Sequence, residues 1–269
     1  CYKDGYMSLD DFSLPEGTHT VVLGLGDLNG IMRGKRIPAS NWENICKNGN
    51  ALSAALFALD MVCDVWDTPY VNMGNGYPDF HMFPITKPVS LPWEPGVALA
   101  FARAEGMDHK TVPIDPRQVL IRQLERAQGM EIDIQVGAEL EFYLLDPETG
   151  LPKDKGNGVY SLERAAELEH VLGPIRNNLN ELGIPVEQSN PEYAEGQVEV
   201  NIRYDEALLA ADRVIIFRNL VKQMAFIHGY KATFMAKPFF EQSGSGFHCH
   251  YSLWKDGKNI FAESGKLSQ

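Results

Sequence analysis

The residues best suited to chemistry in this chain are glutamates and histidines that alternate with apolar residues. Glu139 and Glu141 alternate with apolar neighbours in 136–145, and His248 and His250 do the same in 247–254. Side chains two positions apart in a β-strand point to the same face of the sheet. Each pair is therefore expected to share a polar face, opposite a face that packs into the core.

A third segment, 197–204, has the same pattern. Its apolar residues alternate with polar ones, Glu199 lies on the polar face, and Glu192 precedes the segment. Carboxylate oxygens with an occasional imidazole suit Mg²⁺ or Mn²⁺. Neighbouring carboxylates repel one another, so a bound cation would stabilise the arrangement. The sequence predicts a divalent-metal site on one face of a sheet.

Other interpretations of these motifs exist. A single Glu-x-Glu is more often an ordinary polar strand face, and zinc is an alternative for the His-Cys-His segment. Because strand side chains alternate, Cys249 points away from His248 and His250, so the three side chains are poorly placed to form a tetrahedral zinc site. The segment 244–246, Gly-Ser-Gly, permits close approach of the backbone to a ligand but is also typical of a turn.

The elements that must position these residues alternate between strand and helix patterns. The segment 68–96, rich in Gly, Pro and aromatic residues, shows no clear period and is either functional or contains short strands. The order favours an α+β fold over a doubly wound sheet, with a domain boundary near 112–116. The expected elements are a hairpin at 20–38, helices at 39–60, 116–129, 161–182 and 205–228, and strands at 132–145, 184–188, 196–204, 231–236 and 246–254.

Composition excludes several classes of protein. The net charge of −12 argues against nucleic acid or an anionic membrane as the main partner. No apolar run approaches the ~18 residues of a membrane helix, and residues 1–4 do not resemble a signal peptide. The 4 cysteines form no CxxC pair, which predicts a reduced, cytoplasmic protein.

Four motifs, in this order, resemble those of the glutamine synthetase family. The segment 137–142 reads G-A-E-L-E-F, and 192–199 reads E-Y-A-E-G-Q-V-E. The segment 231–238 reads K-A-T-F-M-A-K-P, and 244–253 reads G-S-G-F-H-C-H-Y-S-L. The N-terminal part, including D-L-N-G at 27–30, looks more like the branch that acts on polyamines or other organic amines.

The resemblance implies an α+β fold in two parts. A small β-grasp-like domain at 1–113 would precede a curved antiparallel-sheet catalytic domain of glutamine synthetase type at 114–269, incomplete at its C-terminus. It also implies stacked, dodecamer-like rings of identical subunits. The implied reaction is ATP-dependent ligation of ammonia or an organic amine to the γ-carboxylate of glutamate through a γ-glutamyl phosphate, with Mg²⁺ or Mn²⁺.

The resemblance also assigns roles by position. Glu141, Glu192 and Glu199 would hold one metal, and Glu139 with His248 the second. Asp27, reaching into the next subunit's site, and His250 would be catalytic. The residues implied to contact the nucleotide are Glu187, Tyr204, His250 and Ser252. Gly244 and Gly246 would contact glutamate.

Two features depart from the family pattern. Ser243 replaces the Asn that is usual in the ammonia enzymes, and the chain ends at Gln269 before the segment that supplies a further metal-binding Glu, a flap Glu and several Arg residues. We therefore expect the 269-residue chain alone to be inactive. A non-catalytic structural or regulatory relative is the alternative. A phosphagen kinase is a third reading, which the full set of Glu and His motifs disfavours.

Overall fold

The computed structural model describes residues 12–156, 158–263 and 266–267. The chain divides into two compact units, Cys1–Glu131 and Ile132–Gln269. The expected domain boundary between residues 113 and 114 stays a prediction. Within the described part of the chain, no helix has the length and apolar character needed to cross a membrane.

The first unit is built on a mixed β-sheet. Its elements are β1 (Thr20–Gly26), β2 (Met32–Pro38), α1 (Trp42–Asn48), β3 (Asn50–Ser53), β4 (Asp79–Pro84), β5 (Val89–Ser90), β6 (Val97–Gly106) and α2 (Pro116–Gln128). The strand order is β2-β1-β6-β4-β3, in which β1 and β6 are parallel neighbours. The sheet packs around a core that includes Val21, Leu23 and Phe80. A central parallel pair, flanked by antiparallel strands, is the β-grasp-like arrangement that was predicted.

The prediction of one helix over 39–60 was wrong. The α-helix ends at Asn48 because Gly49 takes a φ of 71°, a left-handed value that breaks the helical path. The next residues form β3, which pairs with β4, followed by the 3₁₀ turn Ala54–Ala58. The segment 68–96 contains short strands, one of the two possibilities that its composition left open.

The second unit is built on an antiparallel β-sheet. Its elements are β7 (Asp133–Leu145), α3 (Leu162–Glu181), β8 (Val186–Pro191), β9 (Gln197–Glu206), α4 (Ala207–Ile227), β10 (Lys231–Thr233), β11 (Phe247–Lys255), β12 (Lys258–Asn259), β13 (Ala262–Glu263) and β14 (Lys266–Leu267). The strand order is β12-β11-β7-β9-β8, with β10 also paired to β7. Helix α4 packs on β7, β9 and β10, and α3 packs on β8 and α4.

The apolar faces predicted for 136–145 and 197–204 form much of the core of this unit. Leu140 and Phe142 from β7 and Val198 and Val200 from β9 are at most 3% exposed. Because side chains alternate along each strand, burial of this face turns the intervening glutamates to the opposite face. The expected strand at 231–236 is shorter in the structure, and the strand expected at 184–188 lies at 186–191 instead. The prediction that the face of β11 opposite its histidines packs into the core was wrong, because Phe247 and Tyr251 on that face are more than half exposed.

Candidate active site

Strand register brings the predicted acidic and imidazole side chains together on one face of the second sheet. His248 on β11 lies opposite Glu139 on β7, and Glu141 on β7 lies opposite Glu199 on β9. Three separate segments of sequence therefore meet across neighbouring strands. The third segment is completed by Glu192, which follows β8.

These side chains line an open cavity of about 350 Å³. The cavity holds all five predicted metal ligands, and Tyr160 and Tyr193, which line it too, are more than half exposed. Its lining residues are Glu139, Glu141, Tyr160, Gln188, Glu192, Tyr193, Gln197, Glu199, Asn201, Ser243, Gly244 and His248. Such a concentration of carboxylates in one cavity favours a cationic ligand.

Glu139 bridges the two histidines of β11. Its Oε2 lies 3.1 Å from Nδ1 of His248, and its Oε1 lies 3.2 Å from Nε2 of His250. Burial raises the pKa of the Glu139 carboxyl, but the hydrogen bonds from His248 and His250 outweigh it and hold that pKa below its usual value. Glu139 is therefore a charged carboxylate positioned beside two imidazoles.

The pKa of the Glu192 carboxyl shifts in the opposite direction from that of Glu139, because Glu192 is buried beside other carboxylates. Burial raises the pKa of its carboxyl to about 7, with further contributions from a hydrogen bond to Glu199 and from the charge of Glu141. Asn190 Nδ2 donates to Glu192 Oε1 at 2.8 Å. The raised pKa of Glu192 reflects negative charge that has no nearby cation to balance it, and a bound cation would lower that pKa.

Gln197 ties the acidic cluster to the loop that precedes β11. Its Nε2 donates to Glu141 Oε2 at 2.8 Å and to the Gly244 carbonyl at 2.9 Å, and its Oε1 accepts from the Ala194 amide at 3.2 Å. The sequence motifs assigned no role to Gln197. Its position in the Gly-Gln-x-Glu motif could have indicated a role, because Gln197 immediately follows the turn glycine, Gly196.

Gly246 lies so close to the side chains of Glu141 and His248 that a Cβ there would displace them. A Cβ there would lie 2.7 Å from Glu141 Oε1 and 3.0 Å from His248 Nε2, and the Gly246 carbonyl accepts from the Glu141 amide at 3.1 Å. The loop therefore passes directly against two of the predicted metal ligands. Contact of Gly244 or Gly246 with glutamate stays a prediction.

Gly246→Ala is expected to weaken Mn²⁺ binding by about tenfold to a hundredfold, because the new methyl group displaces Glu141 and His248. Manganese titration followed by electron paramagnetic resonance measures this change. The control is Gly129→Ala, where a Cβ meets no atom closer than 3.4 Å. Equal Mn²⁺ affinity in the two variants would show that this close approach does not position the ligands.

The donor set fits a divalent metal. The carboxylates and imidazole that line the cavity are ligands that Mg²⁺ and Mn²⁺ accept. The buried Oδ1 of Asn201, beside Glu139 in the register, has no hydrogen-bond partner. Among the described residues, no three His, Cys, Asp or Glu side chains converge closely enough to hold an ion. Instead, the Glu139 carboxylate contacts the imidazoles of His248 and His250. The Glu192 carboxyl is hydrogen-bonded to Glu199.

Besides Gly246, four of the predicted residues in the second unit lie outside this cavity lining. Tyr204 on β9 is 53% exposed, and its Cβ would lie 3.4 Å from a Cβ at Gly137. Glu187 is exposed where the pairing of β8 with β9 is irregular. Ser252 Oγ accepts from Trp254 Nε1 at 2.8 Å. The nucleotide roles of these residues, and of His250, stay predictions.

Asp27 lies in the first unit, and its carboxylate is fully buried within its own turn. Oδ1 accepts from the amides of Asn29 at 2.9 Å and Ile31 at 2.8 Å, and Oδ2 pairs with Arg33 Nε at 2.9 Å. These bonds shape the β1–β2 turn. A catalytic role for Asp27 in a neighbouring subunit stays a prediction.

Residues 113–269 match the model of the glutamine synthetase catalytic domain. A glutamate–isopropylamine ligase from a Pseudomonas species is 32% identical over 264 residues, which are 93% of this chain and 58% of that protein. The gamma-glutamylethanolamide synthetase GlnA4 of Streptomyces coelicolor is 35% identical over 265 residues, 93% of this chain and 57% of that protein.

A solved structure described as a GmaS/ADP complex has a TM-score of 0.81 and 31% identity, and covers 94% of this chain and 58% of its own. This chain thus spans a little more than half the length of these two ligases. The matched domain covers more than half of the chain and includes every residue of the acidic cavity. By its motifs, fold and sequence similarity, the chain belongs to the glutamine synthetase family.

Proposed function

We propose that this chain is part of an ATP-dependent carbon–nitrogen ligase that joins ammonia or a small organic amine to the γ-carboxylate of glutamate. The observation that carries the proposal is the single cavity lined by Glu139, Glu141, Glu192, Glu199 and His248. Membership of the family and the names of the similar ligases support the same class of reaction.

The reaction has two steps. An oxygen of the glutamate γ-carboxylate attacks the γ-phosphorus of ATP, so that ADP leaves and a γ-glutamyl phosphate forms. The neutral amine then attacks the activated carbonyl carbon, phosphate leaves with the electron pair of the broken C–O bond, and the nitrogen loses a proton. The acyl phosphate is prone to hydrolysis, so the site must exclude water between the steps.

The side chains of the cavity supply charge and positioning. Glu141, Glu192 and Glu199 would hold one Mg²⁺ or Mn²⁺, and Glu139 with His248 a second. Such ions, when bound, would neutralise the charge of the transferring phosphoryl group. Gln197 orients Glu141, and His250 supports Glu139 on the side away from His248. The Gly244–Gly246 loop would present its backbone to the amino-acid substrate.

The remaining proposals concern the assembly. We infer that the full-length protein is cytoplasmic and forms ring-shaped homo-oligomers, whose size in solution can be measured by light scattering. In such a ring, Asp27 of one subunit would approach the active site of its neighbour. Such an approach would require the buried Asp27 turn to lie at a subunit boundary. It would add a further carboxylate near the amine.

The test is release of ADP by the full-length protein with Mg²⁺. We expect release to require both glutamate and an amine, and to stop when EDTA removes the metal. γ-Glutamyl amide should accumulate in equal amount to ADP. ADP release without glutamate would instead support a different activity. Metal binding without turnover of ammonia or any amine would support a non-catalytic relative.

A further inference from the structure

A second open cavity of about 230 Å³ adjoins the acidic one in the same unit. The two cavities share Tyr160 and Gln188. The remaining residues of this side cavity come from the start of α3 and from β8, and they are Ser161, Leu162, Ala165, Ser189, Asn190 and Pro191. The two cavities therefore meet at Tyr160 and Gln188.

Tyr160 is held at the junction by an unusual backbone conformation. Its φ is 58°, which is rare for an aromatic residue, and its amide donates to the Pro191 carbonyl at 3.1 Å. Backbone strain of this kind persists where the surroundings enforce it and often marks a functional position. Tyr160 is also 67% exposed, so its ring is available to a ligand rather than buried in the core.

The side cavity differs from its neighbour in charge. The acidic cavity contains four glutamates, whereas none of the described residues that line the side cavity is Asp or Glu. The Ser189 hydroxyl accepts from Arg176 Nη1 at 2.8 Å, and that guanidinium is paired with Glu169. The side cavity therefore offers no uncompensated carboxylate to a second ammonium group.

Its lining instead suits an uncharged substituent. Leu162, which is 85% exposed, Ala165 and Pro191 offer apolar contacts, while Ser161 offers a hydroxyl. The volume corresponds to about eight non-hydrogen atoms, at ~30 Å³ each as for water in the liquid. That size fits a short alkyl or hydroxyalkyl chain.

We propose that the side cavity is a specificity subsite for the substituent of the amine substrate. The amine nitrogen lies in the acidic cavity beside Tyr160, and its substituent passes into the side cavity. The preferred acceptors are primary monoamines with a compact, uncharged substituent, and diamines and polyamines are disfavoured. This inference rests on the proposed ligase function and narrows its amine from the wider set that includes polyamines.

The first measurement compares n-butylamine with putrescine in the full-length protein, because the two differ mainly in the second ammonium. We expect kcat/KM for butylamine to exceed that for putrescine by at least about tenfold. Leu162→Asp, which puts a carboxylate at an exposed position of the side cavity, should reduce that ratio by about tenfold. Equal use of both amines by the unaltered protein, or an unchanged ratio in Leu162→Asp, overturns the proposal.

A second variant tests the space rather than the charge. Ala165→Phe fills the side cavity and should lower the kcat/KM ratio of butylamine to ammonia by at least about tenfold. The matched control is Ala166→Phe, at an exposed position on the same helix that does not line the cavity, and it should leave the ratio unchanged. An unchanged ratio in Ala165→Phe, with the protein folded, overturns the subsite while the ligase stands. Absence of turnover with ammonia and every amine rejects the ligase function itself.

Discussion

Glu141→Ala in the full-length protein is expected to lower both Mn²⁺ affinity and glutamate-dependent ADP release by at least about a hundredfold. Glu141 lies on the central strand β7, opposite Glu199, and its Oε2 accepts a hydrogen bond from Gln197. Its replacement removes a proposed ligand and leaves the buried Gln197 amide without that acceptor. Loss of binding and loss of turnover should therefore occur together.

Metal titration and ADP release, measured on the same preparation, check this prediction. Glu148→Ala is the matched control, because Glu148 is an exposed carboxylate in the turn that follows β7 and lines no part of the acidic cavity. The control should retain full metal affinity and turnover. If Glu141→Ala equals the control in both measurements, Glu141 is not a metal ligand.

The composition of the candidate site could be predicted from sequence because strand alternation has only one period. Once the apolar residues of 136–145 and 197–204 are placed in the core, Glu139, Glu141 and Glu199 must lie on the opposite face. Burial of Phe142 and Val198 bears this out. The same reasoning, applied to 247–254, placed His248 and His250 on a common face.

Register and strain could not be predicted in the same way. Alternation does not reveal that His248 lies opposite Glu139, nor that a bulge interrupts the pairing of β7 and β9 between Val136 and Ala138. Tyr160 was missed because its importance depends on a positive φ that no local residue pattern demands. These features arise from contacts between distant segments, as in the bond from the Tyr160 amide to Pro191.

The helix error at 39–60 has the same origin. The apolar run 51–59 suits a helix by composition, but Gly49 stops α1 and the next residues pair with β4. Tertiary pairing outweighs weak helix propensity when a neighbouring strand supplies hydrogen bonds. The error does not affect the acidic cavity, because every residue that lines it lies in the second unit.

Phe142→Ala is expected to destabilise the full-length protein by about 3–5 kcal/mol. Phe142 is 0% exposed, and its ring centroid lies 5.2 Å from that of Phe234, which in turn lies 6.1 Å from that of Phe217 on α4. The substitution opens a cavity between β7 and α4. Since Phe142 is adjacent to Glu141, the same packing that stabilises the unit also holds the acidic face in place.

Guanidinium unfolding with a tryptophan or circular dichroism signal measures the change. Phe240→Ala is the matched control: Phe240 is 89% exposed, and its loss should change the free energy of unfolding by no more than about 0.5 kcal/mol. A Phe142→Ala protein as stable as the control would mean that this aromatic cluster does not support β7. The orientation of Glu139 and Glu141 would then depend on the bonds of the polar face alone, among them those from Gln197 and His248.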